Sequence, residues 1–412
     1  MQSRRLFLKS SALAMFGLGA APAWLSRAVY AADAPARRRK VLVAIFQRGA
    51  VDGLNVVVPH GESVYYDMRP NIAIPRPNGT PDAAIDLDGF FGLHPSLAPL
   101  KPIFDAQHLA IIEAVGSPDP TRSHFDAQDY MESGTPGMKG TADGWMNRAL
   151  SKEKEPVSPI RAIGLGSNLP RALRGRNDAV AINNLGDFQV RDPRGSQAFE
   201  SMYSNALDTV LHGTGKETFD AVKIMQSIQK QPYAPENGAQ YPNGRFGQSL
   251  RQIAQVVKAD VGLEVAFADI GGWDTHVNEV GAKPTVGVLA NNLADFGGAL
   301  AAFYKDLGDR MEDVAVVTMS EFGRTAKENG NRGTDHGHAN VMFAMGAGVR
   351  GGKVYGDWPG LAHEQLYESR DLNLTTDFRD VLGELVARHL GNNNVKAVFP
   401  GYGEPRFRGL LS

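Results

Sequence analysis

From Lys40 onward the chain alternates short, almost wholly apolar runs with longer stretches in which apolar residues recur every three or four positions. The runs Lys40 to Phe46, His108 to Val115, Ile160 to Leu165, Leu263 to Asp269, Val314 to Met319 and Val341 to Met345 show little polar alternation. That pattern predicts strands buried on both faces. Between them, Pro95 to Ala106, Phe125 to Glu132, Phe246 to Val261, Val286 to Leu307 and Asp377 to Leu390 carry the helical spacing. In the last of these, Thr376 is the expected N-cap and Gly391 the stop, with Phe378, Val381, Leu382, Leu385, Val386 and Leu390 on one face. Strands alternating with helices predict an α/β fold, a three-layer α/β/α sandwich around a mostly parallel central sheet.

Two regions depart from that rhythm. The stretch from about 186 to 245 is more polar, with helical pieces at Ser196 to Leu211 and Thr218 to Gln231 and a loop from Pro232 to Arg245. It is expected to be a helical insertion that covers part of the sheet. The first 31 residues hold an Arg4-Arg5 pair, an apolar stretch from Ala12 to Leu25 and a small-residue exit ending at Ala31. This is the layout of a twin-arginine export signal cleaved after Ala31, leaving an α/β domain over 32–412. The apolar stretch is short and carries Gly17, Gly19 and Pro22, so removal is expected over retention as an anchor. A periplasmic or secreted location follows, with the twin-arginine export machinery as one partner and no stable membrane span after cleavage.

Composition narrows the chemistry. Over 412 residues the formal net charge is -2, which offers no broad basic field and argues against nucleic acid as a partner. Cysteine is absent, so disulfides, thiolate ligands and iron-sulfur clusters are excluded. Any metal must be held by His, Asp, Glu, Asn or hydroxyl oxygens.

Candidates for that task lie at the ends of the expected strands. After the first strand comes Asp52, in an Asp-Gly turn that is either a metal ligand or an ordinary turn. After the fourth, Asp274 and His276 stand two apart; in extended backbone such residues point the same way, so one ion can take both. After the fifth, Glu321, Asp335, His336 and His338 fall within eighteen residues as candidate ligands; His336 and His338 could both face one ion, or one could bind it while the other acts as a general acid or supports a ligand. Arg324 is either an oxyanion clamp or the salt-bridge partner of Glu321. Thr121, Ser123 and His124 open the helix after the second strand. A hydroxyl there can cap the helix, with Asp126 three residues on, or act as a nucleophile aided by the helix dipole.

These residues also carry a resemblance. The segments FQRGAVDGLN, SHFDAQDYMESG, GGWDTH, SEFGRT and GTDHGHANVMFAMGAGVRGGKVYGDWPGL resemble the twin-arginine-exported proteins grouped as domain-of-unknown-function 1501, over essentially the whole mature chain. That family is similar in turn to the alkaline phosphatase and sulfatase superfamily, which implies an alkaline-phosphatase-like fold, two metals and a Ser or Thr nucleophile. On the resemblance, Asp52 matches the first-strand ligand, Ser123 or Thr121 the nucleophile, Asp274 and His276 a ligand pair, and His336 or His338 the late histidine. The superfamily's Ser-Asp-His-Gly motif is Ser320-Glu321-Phe322-Gly323 here, and Phe322 cannot bind a metal. The implied function is a metal-dependent hydrolase of small-molecule or glycan esters of phosphate or sulfate, using zinc, manganese, calcium or magnesium. The alternative is a non-catalytic periplasmic binding or assembly protein with an incomplete metal site.

Overall fold

The computed structural model describes residues 38–150, 157–187, 221–222, 224–228 and 232–411. Among these residues twelve strands form two sheets. Nine belong to the central one: β1 (Val41–Gln47), β5 (Leu109–Gly116), β6 (Ala162–Leu165), β7 (Val180–Ile182), β8 (Val265–Ile270), β9 (Val314–Met319), β10 (Asn340–Met345), β11 (Lys353–Tyr355) and β12 (Thr376–Asp377). Their order is β11-β5-β10-β9-β1-β8-β6-β7, with β12 also on β5. β10 pairs antiparallel with both β5 and β9, while every other pairing in this sheet is parallel. β10 alone therefore runs against the rest, and the expected mostly parallel α/β sheet is the one observed. The remaining three strands, β2 (Val57–Val58), β3 (Ile85–Asp86) and β4 (Gly92–Leu93), make a small antiparallel sheet.

β1 shows why the strands lack polar alternation. Val41, Val43 and Ile45 face one core, and Leu42, Ala44 and Phe46 face another. Helices α3 (Arg245–Ala259) and α4 (Val288–Leu307) cover the first core, while α2 (Trp145–Ala149) and α5 (Phe378–Glu384) cover the second. Each of these six residues is buried on its own side, and each is apolar. This gives the three layers, and the chain from Lys40 onward forms one compact unit.

Local details differ from expectation in instructive ways. The 95–106 stretch starts as a 3-10 turn over Pro95–Leu100, because Pro99 lacks the N–H an α-helix would use, and becomes α-helical at Lys101–Asp105. The last helix is capped by Asp377, whose side chain accepts from the Arg379 N–H; Thr376 instead pairs with β5 as part of β12. Beyond Glu384 the backbone widens into a π turn over Leu385–His389. The export signal and the insertion helix Ser196 to Leu211 lie outside the described residues, and of the second insertion helix only 221–222 and 224–228 are described. No helix among the described residues is long and apolar enough to cross a membrane.

Candidate metal centre

Three loops meet at the edge where the parallel strands end. The first leaves β1 through Gly49, whose φ of +115 is open only to glycine without strain; a Cβ there would lie 2.8 Å from the Asp274 backbone nitrogen. This close approach seats the end of β1 on the loop that follows β8, and it sends the Gly49 N–H to Glu321 Oε1 at 2.8 Å. The second close approach is Gly333, where a Cβ would meet the carbonyl oxygens of Thr275 and His276 at 2.5 Å. It lays the loop carrying Thr334, Asp335 and His336 on the one carrying Asp274 and His276. Helix α1 (His124–Ser133) completes the site with its first residue.

The side chains form two shells. In the inner one, His276 Nε2, His336 Nε2 and His124 Nε2 approach the Asp274 carboxylate at 3.0, 3.2 and 3.4 Å. The Nε2 atoms of His276 and His336 are 3.0 Å apart. In the outer shell, each Nδ1 has a partner that can only accept. His124 Nδ1 faces Glu321 Oε1 at 2.8 Å, His276 Nδ1 faces Asp335 Oδ1 at 3.0 Å and His336 Nδ1 faces the Arg122 carbonyl at 3.0 Å. An acceptor-only partner places the proton on Nδ1 and, in a neutral ring, leaves a lone pair on Nε2. Three imidazole lone pairs and a carboxylate then point at one small volume, and His124 Nε2 is buried without a hydrogen-bond partner among the described residues. Acceptors gathered in this way are satisfied by a cation, with the outer carboxylates fixing ring tautomer and orientation. One atom each from His124, Asp274 and His336 lies within 4.8 Å of the others, which is compatible with one ion. The side chains of Asp274 and His276 are 46% and 39% exposed, so the group is open to solvent on one side.

Electrostatics follow the same division. Burial pushes the Asp274 carboxyl up, but Arg324 and the surrounding imidazoles outweigh it and hold the group below its ordinary value. Burial likewise raises Glu321, and hydrogen bonds from His124, Gln128 and the Gly49 N–H reverse the balance. Asp335 is lowered by its bond to His276. His336 is lowered mainly by burial, which favours the neutral ring a metal requires.

Several residues expected at the site stand elsewhere or in other roles. Asp52 is buried against Arg69, whose guanidinium reaches both carboxylate oxygens at 2.5 and 2.9 Å; it is the partner of an internal cation and does not face the imidazoles. Glu321 and Asp335 sit behind the histidines. His338 stacks on Tyr367 with ring centroids 4.3 Å apart, away from the group. Arg324 pairs with Asp274 at 2.7 Å instead of Glu321, and spends its other donors on the carbonyls of Gly49, Ala50, Trp273 and Thr334. It locks the loops and has little left for an oxyanion. Ser123 precedes α1 at the N-cap position without a side-chain capping bond, and its N–H donates to Thr121 Oγ1 at 3.2 Å. The Ser123 side chain is exposed beside His124. Phe322 lies under the rings of His124 and His336, with centroids 5.0 and 4.9 Å away, and supplies an apolar floor.

Glu279 escaped the sequence reading. Fully buried, it accepts from the hydroxyls of Thr275 and Thr334 at 3.1 Å each, and so ties the Asp274-His276 loop to the Asp335-His336 loop. Burial, reinforced by the nearby Asp52 charge, pushes its carboxyl well above the ordinary range. A lone glutamate five residues after Asp274 has no motif to announce it; only Thr275 and Thr334, beside the candidate ligands, hint at a shared acceptor.

Among solved structures the chain is similar to the C-terminal periplasmic domain of EcEptC from Escherichia coli in complex with zinc, at 9% identity and a TM-score of 0.34 over 75% of this chain and 73% of that one. It is also similar to PsFucS1 sulfatase from Pseudoalteromonas sp., at 12% identity and a TM-score of 0.39 over 91% and 72%. A third likeness is to alkaline phosphatase from the Antarctic bacterium TAB5, at 13% identity and a TM-score of 0.28 over 75% and 92%. These likenesses are loose, and the site stands on its own residues. No curated protein matches the sequence. The family model described as protein of unknown function (DUF1501) matches residues 106–399, a span that contains His124, Asp274, His276 and His336, and the chain belongs to that family.

Proposed function

We propose that the protein is an exported, metal-dependent hydrolase of phosphate or sulfate esters, with small-molecule or glycan esters as its substrates. The observation that carries this reading is the convergence of the three Nε2 atoms on Asp274 while every Nδ1 is held by an acceptor. His124, His276, His336 and Asp274 would hold one divalent cation, with zinc the best match to a set rich in imidazole. Such an ion supplies Lewis-acid polarisation of an ester oxygen and acidifies bound water.

The remaining steps fall to the chain itself. Ser123 is the favoured nucleophile over Thr121, because the Thr121 hydroxyl already accepts the Ser123 N–H while the Ser123 hydroxyl is exposed at the start of α1. Attack by Ser123 Oγ would displace the alcohol of the ester and leave a phosphoryl or sulfuryl group on the serine, which water then removes. His124, next in sequence and tied to Glu321, orients that end of the helix. Export through the twin-arginine route, suggested by Arg4-Arg5, suits a chain that loads its metal while folding.

Purified protein should contain close to one divalent ion per chain and release 4-nitrophenol from its phosphate or sulfate ester in a chelator-sensitive way. Ser123→Ala should keep the metal and lose most turnover, on the order of a hundredfold or more. Protein free of divalent metal and inert after loading with zinc, manganese, calcium or magnesium would rule the proposal out. A second reading, a binding protein without turnover, draws on Phe322 and on the commitment of Arg324 to backbone carbonyls. A metal-bound wild type as inert as Ser123→Ala would favour it.

A further inference from the structure

Beside the metal centre, at the C-terminal ends of β1, β6 and β8, lies a cleft of about 270 Å³ whose walls carry Arg48, Arg171, Arg174 and Arg245 against the acids Glu132 and Asp269. The arginines divide into two kinds. Arg48 is neutralised by Glu132 and Asp269, each at 2.9 Å, and Arg171 by Asp129 at 2.7 Å. Arg245 is 70% exposed, with its nearest carboxylate, Asp269, 3.9 Å away. Arg174 is exposed and uses Nε on the Leu169 carbonyl, with no carboxylate partner among the described residues. Two guanidinium groups thus face a concave surface with their charge largely unspent. Between them runs the turn Gly166-Ser167-Asn168, with exposed hydroxyl and amide side chains. Guanidinium, hydroxyl and amide donors around a cleft of this size suit a tetrahedral oxyanion.

The cleft shares a wall with the metal centre. Arg48 donates to Gln128 Oε1 at 3.0 Å, Gln128 donates to Glu321 Oε1 at 2.8 Å, and the same oxygen holds His124. We propose that this cleft is an anion-binding subsite in which Arg174 and Arg245 hold a second phosphate or sulfate group, so that the preferred substrates carry two or more such groups. The anion binding stands by itself; its role in substrate choice rests on the hydrolase reading above.

Two measurements separate these levels. Inorganic phosphate should raise the Tm of the full chain, and should still do so in a His276→Ala/His336→Ala variant whose metal ligands are gone. When Arg174→Gln/Arg245→Gln is added to that histidine variant, the shift should disappear. No shift in the first two proteins, a shift that survives the arginine changes, or one that vanishes with the histidines would overturn the subsite. In turnover, Arg174→Gln/Arg245→Gln with the histidines intact should raise KM for a hexose bisphosphate about tenfold relative to KM for 4-nitrophenyl phosphate, the size of effect expected for a lost charge-assisted contact. An equal change for both substrates would overturn the substrate preference. If phosphate binding follows the arginines while neither ester is hydrolysed, the hydrolase reading fails and the anion site stands.

Discussion

Glu279 shows how much a single buried side chain can govern. Burial and the nearby Asp52 charge push its carboxyl well above the ordinary range, and it accepts two threonine hydroxyls, a task that a neutral amide can do in part. Glu279→Gln should therefore fold with a loss of no more than about 1 kcal/mol, whereas Glu279→Ala leaves the buried Thr334 hydroxyl without its acceptor and the Thr275 hydroxyl with only the Trp273 carbonyl at 3.4 Å, and should cost about 2–3 kcal/mol. Because the threonines flank the ligands, the alanine variant should also bind metal 10–100-fold more weakly, on the scale of other outer-shell losses. Urea unfolding and competition against a coloured chelator measure the two effects; equal metal affinity in both variants would remove Glu279 from the support of the site. At this scale the sequence is informative where side chains of the candidate centre are close neighbours, as with Asp274 and His276. It misleads at Asp52, whose Asp-Gly turn looks like a ligand until Arg69 folds back on it. The partner that decides the role of Asp52 lies seventeen residues away, beyond the reach of a motif.

Among the elements, the 3-10 turn Pro95–Leu100 carries a pH dependence. His94 caps it, with Nδ1 accepting from the Ser96 N–H at 3.0 Å, while its Nε2 is buried with no hydrogen-bond partner among the described residues. Burial lowers the imidazole from its ordinary 6.5 to about 4. The folded protein therefore refuses a proton that the unfolded chain accepts below about pH 6.5. The stability tied to the neutral ring is complete above that pH and is lost as pH falls towards about 4, with a ceiling near 3 kcal/mol for this one group. Urea midpoints at pH 7.5, 5.5 and 4.5 should fall more steeply for the wild type than for His94→Asn, which keeps a capping oxygen but cannot titrate. Parallel slopes would mean that His94 contributes nothing. The six apolar runs all became strands, since each is buried on both faces and its composition records that. Helix ends were harder to place, because Asp377 in place of Thr376 as cap, and the π turn after Glu384, depend on what packs outside the helix.

For the whole molecule, the start of α1 and the two loops that carry Asp274, His276 and His336 come from distant parts of the chain, so an ion held between them would tie the fold together. Removing it should lower Tm by roughly 5–10 °C, given that an ion at a thousandfold excess over its Kd adds about 4 kcal/mol and that chains of this size move about 2 °C per kcal/mol. Calorimetry with and without chelator tests this; an unchanged transition would mean the loops hold without a cation. On the proposed twin-arginine route, replacing Arg4 and Arg5 by lysine should leave the protein in the cytoplasmic fraction, and export of that variant would overturn the route. Layer order and sheet direction followed from periodicity, whereas the opposed direction of β10 did not, since an apolar strand reads the same either way.

β9 and β10 are antiparallel neighbours, so the segment from Ser320 to Ala339 departs from the sheet and returns to it at the same edge, like a drawer set in a frame. Changes within that excursion alter what meets Asp274, His276 and His124 without requiring any strand to change partners.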